Sequence, residues 1–369
     1  MVMKATIVTC FESNEERVAL LKNLLEDKNY DVSVITSDFS HIRKTKRINI
    51  PMDYYAIDTR PYSSNLSISR LISHSEFAKD AFKKVWLLKP DLLWVVVPCL
   101  SLIKEANNYK KKNPNVKIIV DVIDMWPESL PLGFIKRTFP FEIWKNIRTD
   151  NIGCADEVVT ECNYYHNILK NEYNGLLTTI YWARGDKTKE YGINTNDDKL
   201  LLCYIGSINN IIDIDMMKEI IKKIDKKVIL NIIGVGENKE NMINILKEVC
   251  EVNYYGPIYD ENKKQRIFSE CHAGLNIYKK DLYIGLTVKC IDYFRYGLPI
   301  INNIKADTWS FVENNNVGIN VNKDTIINTK ELIDMRNNNQ NIFDLYNNNF
   351  TKEVFNKKCL EVINRVMNK

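Results

Sequence analysis

The chain has 369 residues, 45% of them apolar and 27% charged, with a net charge of +4. That length exceeds what one core usually fills, so two domains are expected, and the composition excludes a disordered chain. A mild charge, without dense basic runs interleaved with stacking aromatics, argues against nucleic acid as the main partner but admits anionic phosphates or a membrane surface.

The nine cysteines fall singly, with no Cys-x-x-Cys pair, and none of the four histidines makes a metal-ligand spacing with them. Reduced thiols in a cytoplasmic protein are expected, and no zinc site. The apolar part of residues 1–10 is too short for a signal peptide and reads as a first buried strand. No run reaches the roughly 20 apolar residues of a membrane span, so any membrane contact is expected to be peripheral.

In chain order, Ala5 to Cys10 reads as a strand, and Glu15 to Leu25 as a helix with Val18, Leu21, Leu24 and Leu25 on one face. Tyr30 to Ser37 is the next strand, and the alternation predicts a parallel sheet covered on both faces. Residues 38–67 are polar and cluster His41, Arg43, Lys44, Lys46 and Arg47; a solvated basic loop is the first reading and a phosphate-contacting surface the second. Ser69 to Lys89 is an amphipathic helix, Asp91 to Pro98 a strand, Leu100 to Lys111 a helix and Lys117 to Ile123 a strand. This last strand runs into Asp124-Met125-Trp126-Pro127-Glu128, which puts carboxylates at the end of a buried parallel strand, where α/β sheets bind ligands. Asp124 acts there on a ligand or holds the next turn. The stretch 134–148 mixes Phe and Trp with Lys and Arg; it reads as an aromatic helix packed on the core or as an interfacial segment meeting anionic lipids.

Glu157 to Thr160 reads as a strand, Tyr164 to Lys170 as a helix and Ile180 to Ala183 as a short closing strand, so a first domain is predicted over 1–183. Residues 184–199 lose periodicity and form a linker to a second domain over 200–350. That domain opens with a strand running into Gly206-Ser207, then a helix from Asp213 to Lys223, a strand from Val228 to Ile233, and the turn Gly234-Val235-Gly236-Glu237. No third glycine completes a dinucleotide fingerprint. A strand and turn over 252–259 and a helix over 260–270 follow. Ala273 to Ile277 is then a short apolar strand, 278–286 a lysine-bearing loop, and Thr287 begins a helix that Gly297 and Pro299 end. The unpaired N–H groups of that helix start, with Lys279, Lys280 and Lys289, make an anion site suited to a phosphate. Asp292 lies about one and a half turns further on, where a carboxylate fits a ribose diol. Beyond a helix from Trp309 and a strand over 318–321, the asparagine runs at 337–341 and 347–349 read as polar breaks, and 351–369 as a terminal helix.

Lys289-x-x-Asp292 followed by Gly297-Leu298-Pro299-Ile300-Ile301 resembles the donor-site helix of the GT-B glycosyltransferases, in particular glycosyltransferase family 4 and its relatives in bacterial surface-polysaccharide synthesis. Ile205-Gly206-Ser207, Gly234-Val235-Gly236-Glu237, Tyr255-Gly256-Pro257-Ile258 and the Asp124-Met125-Trp126-Pro127-Glu128 string are similar to motifs of the same family, in the same order. The resemblance implies an α/β chain with the GT-B plan of two Rossmann-like parallel-sheet domains facing a cleft, the first binding acceptor and the second a nucleotide sugar. It also implies that the terminal helix crosses back to the first domain. The implied reaction moves a sugar from a nucleoside diphosphate sugar, with UDP-sugar favoured, to a hydroxyl of a lipid-linked or protein-linked glycan. Neither metal nor cofactor is implied beyond the donor.

By that resemblance Asp124 or Glu128 orients or deprotonates the acceptor hydroxyl. The Gly206-Ser207 turn contacts the diphosphate, Gly234 and Gly236 belong to a further donor-binding turn, and Pro257 and Ile258 read the base. Tyr278, Lys279, Lys280, Leu286, Thr287, Val288 and Lys289 bind the donor, and Asp292 holds the ribose. Two positions depart from the family pattern: Ile284 stands where the first of two glutamates is usual, and Asn209 and Asn210 follow the Gly206 turn where a basic residue is usual. These departures keep open a catalytically silent partner or chaperone of a transferase. A UDP-sugar 2-epimerase is the other alternative, although such enzymes carry more cleft histidines. The expected location is the cytoplasm, at the inner face of the membrane if 134–148 is interfacial.

Overall fold

The computed structural model describes residues 2–130, 139–186, 198–280 and 282–368. The chain divides into two compact units, Met1–Trp182 together with Phe355–Lys369, and Ala183–Val354. The 187–197 portion of the expected linker, Asp281, and the 134–138 portion of the aromatic segment lie outside the described residues.

The first unit runs β1 (Lys4–Thr9), α1 (Glu15–Asp27), β2 (Asp31–Ser37), β3 (Tyr54–Ile57), α2 (Ile68–Leu88), β4 (Leu92–Val97), α3 (Ser101–Lys112), β5 (Lys117–Val122), α4 (Phe139–Thr149), β6 (Glu157–Thr160), α5 (His166–Leu169) and β7 (Leu177–Thr179). Its strands form one parallel sheet in the order β3-β2-β1-β4-β5-β6-β7. Each side chain of the central strand β4 is buried, as a strand covered on both faces requires. Helix α1 buries Val18, Leu21, Leu24 and Leu25 at three- and four-residue spacing, and Asn29 in the left-handed region turns the chain into β2.

The second unit runs β8 (Lys199–Ile205), α6 (Ile214–Lys222), β9 (Lys227–Ile233), α7 (Lys239–Lys247), β10 (Glu251–Gly256), α8 (Glu261–Glu270), β11 (Ala273–Asn276), α9 (Val288–Arg295), β12 (Ile300–Asn302), α10 (Asp307–Asn315), β13 (Gly318–Asn320), α11 (Thr329–Asn337) and α12 (Gln340–Asn349). Its strands are again parallel, in the order β10-β9-β8-β11-β12-β13. Leu202 and Tyr204 of β8, Leu230 and Ile232 of β9 and Leu275 of β11 centre a core that Met217 of α6, Leu246 of α7 and Leu332 of α11 cover. The last helix, α13 (Lys352–Met367), belongs from Phe355 onward to the first unit, where Arg365 holds the buried Glu157. In each sheet the winding reverses once, between β1 and β4 and between β8 and β11. Chain leaving the carboxyl ends of those strands bounds a crevice suited to ligands.

Several elements differ from the sequence-based expectation. Strand β3 lies inside the expected basic loop; it is a half-exposed edge strand, so it carries no apolar run to betray it. The closing strand of the first sheet is Leu177–Thr179 rather than 180–183, because the carbonyls of Ile180 and Tyr181 accept from Arg17. Asn347 to Asn349 are not a break but the last turn of α12, held there by the buried Ile342, Phe343, Leu345 and Tyr346. Of the aromatic segment, Phe141 is buried, the rings of Trp144 and Trp126 meet at 6.0 Å, and Arg148 is sequestered in an ion pair. Its described part therefore packs on the core of its own unit. No described helix is long and apolar enough to cross a membrane.

Candidate functional site

At the reversal point of the second sheet, seven of the residues expected at the donor site line one cavity of about 280 Å³: Gly206, Ser207, Tyr278, Thr287, Val288, Lys289 and Asp292. Ile205 and Asn209, which flank the Gly206 turn, and Ile211 and Ile212, not singled out from sequence, complete its wall. Larger depressions of about 490 and 410 Å³ lie along α11 and α12, but asparagines and solvated acids line them, and no buried charge faces either.

The cavity is built by three turns. Strand β8 ends at Gly206, whose φ of 120° suits only glycine, and the next crossover strand ends at Gly234. A Cβ on Gly234 would stand 1.9 Å from the Gly206 carbonyl oxygen, so the two backbones meet only because no side chain separates them. The Gly234 N–H in turn donates to the Gly256 carbonyl at 2.9 Å, which brings the Pro257 and Ile258 turn alongside. The third turn starts α9. Thr287 is its N-cap in extended conformation; its hydroxyl accepts from the Cys290 N–H and donates to Asn276 Oδ1 at 3.0 Å. This cap aims the first N–H groups of α9 into the cavity side.

Lys289 enters from that first turn and is 8% exposed. Its ammonium sits 4.0 Å from the Tyr204 ring centroid and 4.7 Å from that of Tyr278, and among the described residues it has no hydrogen-bond partner. Burial pushes its pKa down to about 7, with the Cys290 thiol offsetting only part of the effect. A Cβ on Gly206 would lie 3.7 Å from Lys289 Cε, so the cation absent after the Gly206 turn is supplied from α9 instead. Asp292 lines the same cavity, its Oδ1 accepting from Arg184 Nε at 3.0 Å, and burial raises its pKa against the pull of that guanidinium.

The remaining expected donor residues lie outside the lining. Lys279 and Lys280 are exposed, Leu286 is buried, and Gly236 supports the turn through close approach to Ile208, whose carbonyl oxygen would meet a Cβ there at 2.0 Å. Ile284, at the position of the family's first glutamate, packs against the hydrophobic core of the second unit.

In the first unit Asp124 follows β5. Its carboxylate accepts from Trp126 Nε1 at 2.7 Å and from the Ser129 hydroxyl, so it holds the turn, and burial raises its pKa. Glu128 is not beside it in function: Arg148, 1% exposed, donates to both its oxygens at 2.6 and 2.8 Å and to Glu172 at 2.8 and 2.9 Å. Sequence reasoning missed Glu161, which accepts from Trp182 Nε1 at 2.6 Å and Tyr165 Oη at 3.0 Å. Burial, and then the nearby Asp124 charge, push its pKa up to about 8. The signal was available, since Glu161 follows β6 as Asp124 follows β5.

Two doubly wound parallel sheets with these crossovers define the GT-B fold. The chain is similar to sucrose-phosphate synthase from Thermosynechococcus elongatus, with TM-score 0.70, 10% identity and 99% of each chain covered. It is similar to the lipopolysaccharide outer core galactosyltransferase WaaB, with TM-score 0.68, 13% identity and 98% and 99% covered. It is also similar to HepE of Anabaena in complex with UDP and glucose, with TM-score 0.63, 11% identity and 98% and 99% covered. No protein-family model matches the sequence, and no curated protein is significantly similar to it in sequence.

Proposed function

We propose that the protein is a glycosyltransferase that moves a sugar from a nucleoside diphosphate sugar, UDP-sugar foremost, to a hydroxyl of a glycan acceptor on a lipid or protein, as in bacterial surface polysaccharide or glycoconjugate synthesis. The observation that carries this is Lys289, a buried cation without a partner, at the start of a capped helix and beside a glycine turn. Such an arrangement suits a diphosphate, whose charge grows as the glycosidic bond breaks. HepE, a structural neighbour, holds UDP and glucose.

In this reading the acceptor oxygen attacks the anomeric carbon, the bond to the diphosphate breaks, and the acceptor proton passes to a carboxylate. Asp124 is the candidate base, because Glu128 is already committed to Arg148. Asp292 meets the ribose. Lys289 and the helix N–H groups would stabilise the negative charge that develops on the leaving group.

Ile284 favours a second reading, a protein that binds nucleotide without turnover, since an apolar side chain replaces the acid expected near the sugar. Release of UDP from UDP-sugars in the presence of glycan acceptors separates the two. Nucleotide binding with no release under any acceptor would favour the silent protein, and no binding would remove both.

A further inference from the structure

Four arginines of the first unit present the side of the guanidinium formed by Nε and Nη2 to a carboxylate, one nitrogen to each oxygen. Arg17 holds Asp121 at 2.9 and 3.0 Å, Arg60 holds Glu76 at 2.7 and 2.7 Å, Arg148 holds Glu172 at 2.8 and 2.9 Å, and Arg365 holds Glu157 at 3.2 and 2.6 Å. Arg70, in the first turn of α2, is 2% exposed, yet among the described residues no carboxylate or carbonyl meets its Nε or Nη2. Its Nη1 donates to the Asn65 carbonyl at 2.5 Å. A buried guanidinium with its fork open is costly unless an anion fills it.

The surroundings point to what fills it. Trp126 lies under the guanidinium at 4.0 Å, with Phe11 and Tyr62 at 5.8 Å, so Arg70 stands over the residues that follow β1 and β5. His74 stacks on Trp126 at 6.0 Å and is itself buried with Nε2 unpartnered. Neither nearby carboxylate is hydrogen-bonded to Arg70: Glu12 accepts from the His41 and Ile42 N–H groups and the Ser40 hydroxyl, and Asp124 from Trp126 and Ser129. The Tyr62 hydroxyl, bonded to His41 Nδ1 at 2.6 Å, is drawn to the guanidinium, but burial keeps the phenol protonated, so it brings no negative charge to the fork. The basic loop folds over this cluster. Lys46 and Arg47 are spent on Asp38, Asp58 and Glu15, while Lys44 donates to the Asn65 side-chain oxygen and lies 4.8 Å from the Tyr62 ring. Burial, then the charges of Arg70 and Lys44, drive the His41 pKa down to about 3.

We infer that Arg70 is a specificity residue for an acid group, phosphate or carboxylate, that the acceptor carries, gripped on Nε and Nη2 with His74 Nε2 as a further contact. The planar fork matches either oxyanion bidentately. Residues 61–67, which include the exposed Ser63 to Leu66, meet the guanidinium through the Tyr62 ring and the Asn65 carbonyl. The anion chemistry follows from Arg70 alone, whereas its belonging to an acceptor rests on the glycosyltransferase reading.

The test titrates protein carrying 15N-arginine with inorganic phosphate, a hexose 6-phosphate, glucuronate, the soluble lipid phosphate dihexanoylphosphatidate, and neutral glucose. The Arg70 Nε–H resonance is assigned by its loss in Arg70→Lys. A saturable shift with acids and none with glucose is expected, and the acid that saturates at lowest concentration tells a sugar phosphate from a sugar carboxylate or a lipid phosphate. Arg70→Gln should weaken that acid at least tenfold, measured by melting temperature, while the rise produced by UDP is unchanged, which also shows the variant folded. Absence of a saturable shift, or acid affinity in Arg70→Gln within twofold of wild type, overturns the inference. If neither variant folds, the wild-type titration decides: with no arginine Nε–H resonance moving saturably, the inference fails. Failure of UDP to bind wild type would sink the donor site and leave the Arg70 result to stand by itself.

Discussion

Replacing Lys289 by methionine should make the unliganded protein more stable and abolish its response to nucleotide. Moving a lysine from its ordinary value of 10.5 to about 7 corresponds, at about 1.4 kcal/mol per unit, to roughly 5 kcal/mol for keeping the charge in the cavity below pH 7. The faces of Tyr204 and Tyr278 return about 1–2 kcal/mol of this, which leaves about 3 kcal/mol. The sign follows from proton counting. Between pH 7 and 10.5 the unfolded chain keeps a proton the folded protein has released, so wild-type stability rises with pH and the advantage of the variant shrinks. At pH 6 Lys289→Met should therefore melt roughly 6 to 12 °C above wild type, and by pH 10 the two should converge. UDP at about 100 times its dissociation constant should stabilise wild type by about 2.7 kcal/mol and the variant hardly at all. Differential scanning calorimetry at pH 6, 8 and 10, with and without UDP, measures both effects. A variant that melts below wild type at pH 6 and still gains the full UDP shift would refute the assignment of Lys289 as a cation held ready for a diphosphate.

Gly234→Ala forces a methyl into the Gly206 carbonyl, so a loss of about 3 kcal/mol and of UDP binding is expected in chemical denaturation and titration; an unchanged midpoint would contradict the close approach. Glu128→Ala should cost about 3 kcal/mol by leaving Arg148 short of one partner. Asp124→Asn should keep UDP binding but lower sugar transfer, and equal transfer rates would remove Asp124 from the chemistry. Glu161 has a folded pKa of about 8, above its ordinary value, so it keeps a proton the unfolded chain has lost, and stability should fall as pH rises from about 4.5 to 8. Glu161→Gln should flatten that slope in urea unfolding at pH 5 and 8; an identical slope would show that Glu161 ionises normally.

Local signals in the sequence carried most of this site. Gly206, Thr287, Lys289 and Asp292 are legible because a strand ending in glycine, a capped helix start and a lysine in its first turn each have a short-range physical cause. Strand β3 was hidden because an edge strand lacks an apolar run, and the turns of α12 because asparagines at a helix end look like a break until Phe343 and Tyr346 are seen buried. Arg70 gave no signal at all, since a lysine-rich chain presents many cations and only packing tells which one loses its partner.

From sequence alone came two doubly wound units, the order of their motifs and a glycine turn beside a capped helix start, because periodicity and turn chemistry act over a few residues. Tertiary structure decided which charges are spent and which are held ready. Glu128 lies two residues from Trp126 but is bound to Arg148, twenty residues on, while Lys289 and Arg70 are left unpaired because folding buries them among rings rather than acids. Pairing depends on which side chains meet across the sheets, and long-range contact of that kind leaves no local trace.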